Sequence, residues 1–296
     1  MSDLKFFNAL KIGLKDHFHK LWDVIDEYKS FENIYNNLDA VKNKIKLKSD
    51  FNFTKCDIDT EFDILIKNNV EIITFWDDHY PKFLKQIYMP PLGLYIVGNI
   101  ANFNKDNNLA IIGSRKPTNY GKIVTEKLIK ELAEYDVNVI AGLARGIDTM
   151  AHINAVKNNL KTMAIIGSGY NKLYPSENKN LANTIIQKGG AIVSEYPINF
   201  WPEKYYFVAR NRIISGVSKA ILIVESKKRG GTLITAKFAE EQNRDIFAIP
   251  NNIFELNGQG TNQLIKEGAK LIESAEDIIW EMGLNKKEKN GQLTIL

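Results

Sequence analysis

Residues 109–115 read LAIIGSR. Four apolar residues run straight into Gly113-Ser114-Arg115. A short unbroken apolar run predicts a strand buried on both faces. Helical spacing follows from Tyr120 to Tyr135, through Ile123, Leu128, Ile129 and Leu132. Gly113-Ser114-Arg115 therefore stands on a strand-to-helix turn, at the carboxyl end of a strand, where open α/β sheets bind ligands. Backbone N–H groups and the dipole of the following helix favour an anion at such a turn. Arg115 adds a planar, permanent charge suited to phosphate. The expectation is a phosphate of a nucleic acid strand held on this turn. A tight turn with a solvent-facing Arg is the plain alternative.

Outward from this stretch, strands and helices alternate. Further strand candidates are Val137–Ala141, Thr162–Ile166, Ala191–Ser194, Ala220–Val224 and Ile246–Ile249. The alternation predicts βαβ units with right-handed crossovers, hence an α/β fold with a doubly wound, mostly parallel sheet. Upstream, Glu71–Phe75 and Leu94–Val97 also read as strands, separated by a junction that carries Pro81, Pro90 and Pro91. Residues 1–70 show helical spacing around Leu4–Leu14, Leu21–Tyr28, Asn33–Ile45 and Asp59–Lys67, which predicts a small helical domain. The expected division is thus a helical module over 1–70, the sheet domain over 71–284 and a flexible polar tail over 285–296.

The chain has 296 residues, 44% hydrophobic and 25% charged, with a net charge of +4. That is a globular composition with a mildly basic balance, compatible with nucleic acid but not diagnostic of it. No apolar run approaches a membrane span, and the N-terminus MSDLKFFNALK lacks a signal-peptide core. Cys56 is the single cysteine, which excludes an intramolecular disulfide and points to the cytoplasm. One cysteine and four histidines argue against a zinc site. His17 and His19, two apart, face different sides of a helix.

In a parallel sheet the strand ends share one edge. Here they carry Gly113-Ser114-Arg115, Gly142 to Asp148, Gly167-Ser168-Gly169-Tyr170, Ser194 to Pro197, Glu225 with Arg229-Gly230-Gly231-Thr232, and Pro250-Asn251-Asn252. Glycines allow close approach of backbone to a ligand. Between the fourth and fifth of these strands, Lys204, Phe207 and Arg210 are spaced by three and share one helical face, with Asn211 and Arg212 beside them. Cations next to a ring compose a single-strand site, in which cations track phosphates and the ring stacks a base of any identity. Burial of Phe207 in the core, and pairing of Arg210 or Arg212 with Glu195, Glu203 or Glu225, are the structural alternatives. Tyr205, Tyr206 and Trp201 are expected to pack inside. Asp148 and His152, at i and i+4, lack a nucleophile or metal partner and read as structural.

GSGYNK, from Gly167, opens like a dinucleotide fingerprint, but Lys172 stands where its third glycine belongs. No Walker motif occurs. Neither a nicotinamide nor an ATP site is expected, and no cofactor is called for.

The motifs GSR, GLARGID, GGAIVSEYP, F-x-x-RNRIISG and RGGTLITA, with the YP-x-x-L…PP-x-x-LY-x-x-G pattern from Tyr80 to Gly98, closely resemble the DNA-processing protein A family, also called Smf. The resemblance covers residues 70 to 280. It implies an extended Rossmann-like domain that binds single-stranded DNA, behind a sterile-alpha-motif-like helical domain. It also implies protection of incoming strands in natural transformation, loading of the RecA recombinase, and a homodimer. Carried over by position, the DNA-binding set is Gly113, Ser114, Arg115, Lys204, Phe207, Arg210, Asn211, Arg212 and Gly230-Gly231-Thr232, to which the strand-end reading adds Gly167 and Ser168. The alternative is a phosphoribohydrolase-like enzyme on a related fold. Such enzymes carry PGGxGTxxE, and Thr235 stands here where their Glu belongs. The expectation is therefore a binding protein without turnover.

Overall fold

The LAIIGSR strand lies in the interior of a mixed sheet, and its neighbours account for its composition. In this computed structural model, which describes residues 2–48 and 56–287, the strands are β1 (Glu71–Thr74), β2 (Gly93–Gly98), β3 (Asn108–Ile112), β4 (Asn138–Ala141), β5 (Thr162–Ile166), β6 (Ala191–Ser194), β7 (Ala220–Ile223), β8 (Asp245–Ala248) and β9 (Lys270–Leu271). They form one sheet in the order β1-β2-β6-β5-β4-β3-β7-β8-β9. The pairs β1–β2 and β2–β6 are antiparallel, and the rest are parallel. Along β3, Ala110 and Ile112 enter one core layer while Leu109 and Ile111 enter the other. A strand with both faces covered has no polar face, which is why the run is continuous rather than alternating.

The helices before the sheet are α1 (Ser2–Leu14), α2 (Ile25–Tyr28), α3 (Phe31–Asn36), α4 (Leu38–Lys44) and α5 (Ile58–Lys67). The expected helix over Asn33–Ile45 is interrupted at Asn37, and the segment Lys15–Asp23 is a 3-10 helix. Phe7, Leu10, Leu14, Phe31 and Ile34 pack together with Tyr95 and Val97 of β2 and with Ile198. This helical core is therefore continuous with the underside of the sheet. Within the sheet region lie α6 (Lys82–Lys85), α7 (Asn119–Leu132), α8 (Ile147–Lys157), α9 (Lys179–Gln187), α10 (Lys204–Gly216), α11 (Thr232–Glu241), α12 (Gln259–Lys266) and α13 (Ala275–Met282). No helix among the described residues is long and apolar enough to cross a membrane.

The chain runs β3, β4, β5, β6 in one direction, then returns to the other side of β3 with β7, β8 and β9. That reversal opens a crevice between the ends of β3 and β7, the position where doubly wound sheets hold ligands. The two-residue β9 was too short and too polar to be read from sequence. The tail expected to be flexible begins with ordered backbone. Asp136 N–H donates to Asn285 O, and Lys287 N–H donates to Glu134 O, each at 2.9 Å, so Asn285 to Lys287 are pinned to the end of α7. The rest of that tail, 288–296, lies outside the described residues.

The start of α7 is set by a buried charge. Glu225, fully buried at the end of β7, accepts from Thr118 N–H at 2.9 Å and from the Thr118 hydroxyl. Gly121 gives it room, since a Cβ there would lie 2.5 Å from Glu225 Cδ. Gly121→Ala should overpack this contact and destabilise the protein by about 1–3 kcal/mol, read as a lower urea midpoint with an unchanged slope.

Candidate nucleic-acid interface

The crevice is a cleft of about 630 Å³. Its floor is the β3 turn, Ile112 to Arg115; one wall is α10 and the other the segment from Ser226 to Thr235. The three-residue spacing on α10 does what the sequence implied. Lys204, Phe207, Arg210 and Asn211 all line the cleft, and Gly113, Ser114, Arg115, Gly230, Gly231 and Thr232 face them. The cleft is cationic. Arg115, Lys204 and Lys227 are exposed and line it, and their side chains have no hydrogen-bond or ion-pair partner among the described residues. Asp148 is the acidic residue in its lining.

Arg210 is placed differently from its neighbours on the helix. It is 4% exposed, and its Nη1 donates to the Gly142 carbonyl at 2.7 Å and to the Ile165 carbonyl. None of the expected carboxylates holds it. Its electrostatic partner is Asp148, which accepts from Gly142 N–H at 3.0 Å and lies against the N–H groups of Ala144 and Gly113. Burial pushes the Asp148 carboxyl up and the Arg210 guanidinium down to about 10, and each opposite charge resists the shift of the other. Arg210 is thus a strut that ties α10 to the ends of β4 and β5 through Nη1, while its Nε is buried without a partner. Asp148 and His152 make no pair. His152 is fully buried, with Nδ1 2.7 Å from Thr162 Oγ1.

Other expected contacts lie elsewhere. Arg212 points away from the cleft and grips both oxygens of Glu195 through Nη2, at 2.8 and 2.6 Å, because two residues along a helix turn a side chain to the far side. Gly167 and Ser168 are buried beneath α10. A Cβ on Gly167 would sit 3.0 Å from Phe207 Cδ1, so this glycine seats Phe207 instead of meeting ligand. The strand ends also do not all converge. Glu195 and Tyr196 face a second cavity, and Pro250 to Asn252 border a separate depression. Trp201 and Tyr205 are exposed, against expectation, and only Tyr206 of that trio is buried.

The N-terminus of α7 is not a vacant anion site, because the Glu225 carboxylate already occupies it. The helix start that opens into the cleft is that of α11. Gly231 and Thr232 line the cleft there, and the first turn has neither a side-chain cap nor an acidic residue. Sequence reading missed Tyr174. It lies 44% exposed in the lining, edge-on to Phe207 with ring centroids 5.7 Å apart. Arg145 reaches its hydroxyl at 3.2 Å while pairing with Glu177. No periodicity marks a lone Tyr in an irregular loop, although the Tyr-Pro that follows a strand end was available as a signal.

Two stability outcomes follow from these buried titratable groups. Arg210→Met leaves Asp148 buried without its counter-charge and should cost about 3–5 kcal/mol in urea unfolding. Burial holds the His152 imidazole down at about 3, against 6.5 for the free group. Below pH 6.5 the unfolded chain takes up this proton and the folded chain does not. Stability is therefore complete above pH 6.5 and lost as pH falls towards 3, by about 2 kcal/mol at pH 5. His152→Gln should flatten this part of the profile, as measured by urea midpoints at pH 7.5 and 5.0.

Comparison with known proteins places the chain in a family. The family model described as DNA recombination-mediator protein A matches residues 71–283. The chain is 39% identical over 228 residues to the DNA processing protein DprA of Bacillus subtilis, spanning 77% of this chain and 75% of that one. It is 42% identical over 205 residues to the DprA of Streptococcus pneumoniae, spanning 69% and 72%. The X-ray structure of DNA processing protein A from Streptococcus pneumoniae superposes with a TM-score of 0.77 at 31% identity, over 95% of this chain and 98% of that chain. A structure of DNA processing protein A from Helicobacter pylori, described for its single-stranded DNA binding mode, superposes with a TM-score of 0.65 at 29% identity, over 72% and 95%. The chain belongs to the DNA recombination-mediator protein A family.

Proposed function

We propose that the cleft at the carboxyl edge of the sheet binds single-stranded DNA without reading its sequence. The observation that carries this is the meeting, in one cleft, of unpartnered Arg115, Lys204 and Lys227 with the Phe207 ring. One phosphate lies between the Arg115 guanidinium and the open N-terminus of α11 at Gly231-Thr232, where a fixed charge and a helix dipole add. Lys204 takes a neighbouring phosphate. Phe207, flanked by Tyr174, stacks a base. Ser114 and Asn211 offer polar contacts on either side, and Gly230 lets backbone come close. Arg210, which also lines the cleft, and Arg212 on the far side act as supports of α10. Phosphates are uniform and every base has a π-face, so such a site is indifferent to sequence. Duplex binds less well because its bases are already stacked.

Family membership supports the wider reading. In it the bound strand is protected during natural transformation and passed to the RecA recombinase, and the chain acts in the cytoplasm as a homodimer without turnover. The hydrolase alternative would need a carboxylate where Thr235 stands, and that residue is buried in the wall of the cleft.

Fluorescence anisotropy with labelled single-stranded and duplex oligonucleotides tests the site. Arg115→Ala should weaken single-strand binding and lower the slope of log K against log salt by about 1. Phe207→Ala should cost about 1–3 kcal/mol on every sequence. Binding indifferent to both substitutions would place the strand elsewhere, and absence of single-strand binding at low salt would overturn the function.

A further inference from the structure

Helix α10 has a second working face. Opposite the cleft, Tyr205, Ala209 and Arg212 border a cavity of about 360 Å³ enclosed between the helical region and the sheet. Its size lies within the range of small-molecule sites.

Lys11 of α1 lines this cavity and is only 6% exposed. Its ammonium lies 4.9 Å from the centroid of Phe18 and 5.4 Å from that of Tyr196. Among the described residues it has no hydrogen bond and no ion pair. The nearby carboxylate that acts on it most strongly is Glu195, and both oxygens of Glu195 are taken by Arg212. Lys11 and Arg212 against Glu195 leave one positive charge inside. Lys15, Asp16 and Glu241 at the mouth are exposed, and of these Asp16 also acts on the Lys11 ammonium. Cation–π contact offsets part of the desolvation of an ammonium, but it supplies no acceptor for the three N–H donors. The wall holds two buried polar atoms without partners, Arg212 Nη1 and Gln242 Oε1.

The lining also carries flat aromatic rings, those of Phe18, Trp22, Tyr196 and Tyr205, beside the aliphatic Leu92 and Met89. A single surplus charge matches a monoanion. A phosphomonoester dianion would bring a second negative charge beside Glu195. We propose that this cavity binds an aryl carboxylate, with its carboxylate on the Lys11 ammonium and its ring among these aromatic walls. The site is separate from the DNA cleft, and it stands or falls independently of the DNA reading.

Isothermal titration of the full chain with benzoate, benzamide and inorganic phosphate tests it. Benzoate should bind at one site per chain, with benzamide and phosphate at least tenfold weaker. Lys11→Met keeps the bulk over the rings without the charge, and should lower benzoate affinity at least tenfold while the Tm holds or rises. In a second variant, Trp22→Phe should remove the fluorescence quench that benzoate causes in the unsubstituted protein. No saturable benzoate binding would overturn the proposal. So would benzamide binding as tightly as benzoate, affinity unchanged in a folded Lys11→Met, or a quench that survives Trp22→Phe.

Discussion

Arg210 is the constraint on which the cleft depends. A guanidinium held in the interior by the Gly142 and Ile165 carbonyls sets where α10 can lie against the ends of β4 and β5. Given that anchor, a residue one turn earlier must face the opening, and that residue is Phe207. Lys204, one further turn out, reaches the rim. The small residues around the anchor follow from the same demand. A Cβ on Gly142 would fall on the guanidinium, and one on Gly167 would press on the backbone of Phe207 at 3.2 Å. These glycines serve the helix that carries the site, and the strand ends are shaped to receive it.

Anionic side chains already occupy the obvious anion positions, and this decides where a ligand anion can go. Glu225 sits at the start of α7, and Asp148 gathers N–H groups from the loops after β3 and β4. Both are buried carboxylates that satisfy backbone donors which a parallel sheet otherwise leaves open at its carboxyl edge. What remains for an outside phosphate is the exposed Arg115 and the uncapped start of α11. Carboxylates of the protein itself thus fill two of the donor clusters along this edge.

The two faces of α10 join the helical region to this crevice. Tyr205 and Arg212 look towards the cavity bordered by α1, while Lys204 and Phe207 look towards the cleft. The core beneath that cavity runs without a break from Phe7 and Phe18 to Tyr95 and Ile198.

The sequence by itself determined the strands of the parallel sheet and that their carboxyl ends share one edge. Apolar runs such as LAII read as strands because burial on both faces leaves no alternation, and the i, i+3, i+6 spacing of Lys204, Phe207 and Arg210 puts them on one face for any helix. The glycine-bearing strand ends were legible because few other causes put glycines at that point of each unit. Which of those residues are free was not legible. Arg210 and Arg212 stand two apart in a run of donors, yet one is a buried strut and the other holds Glu195 on the far side, since depth and the far partner are settled by packing between distant segments. Tyr174 joins Phe207 only across a loop that carries no period. Residue type and spacing fix direction along one element, whereas burial, partners and the vacancy of an anion site depend on elements far apart in the chain, and those the tertiary structure decided.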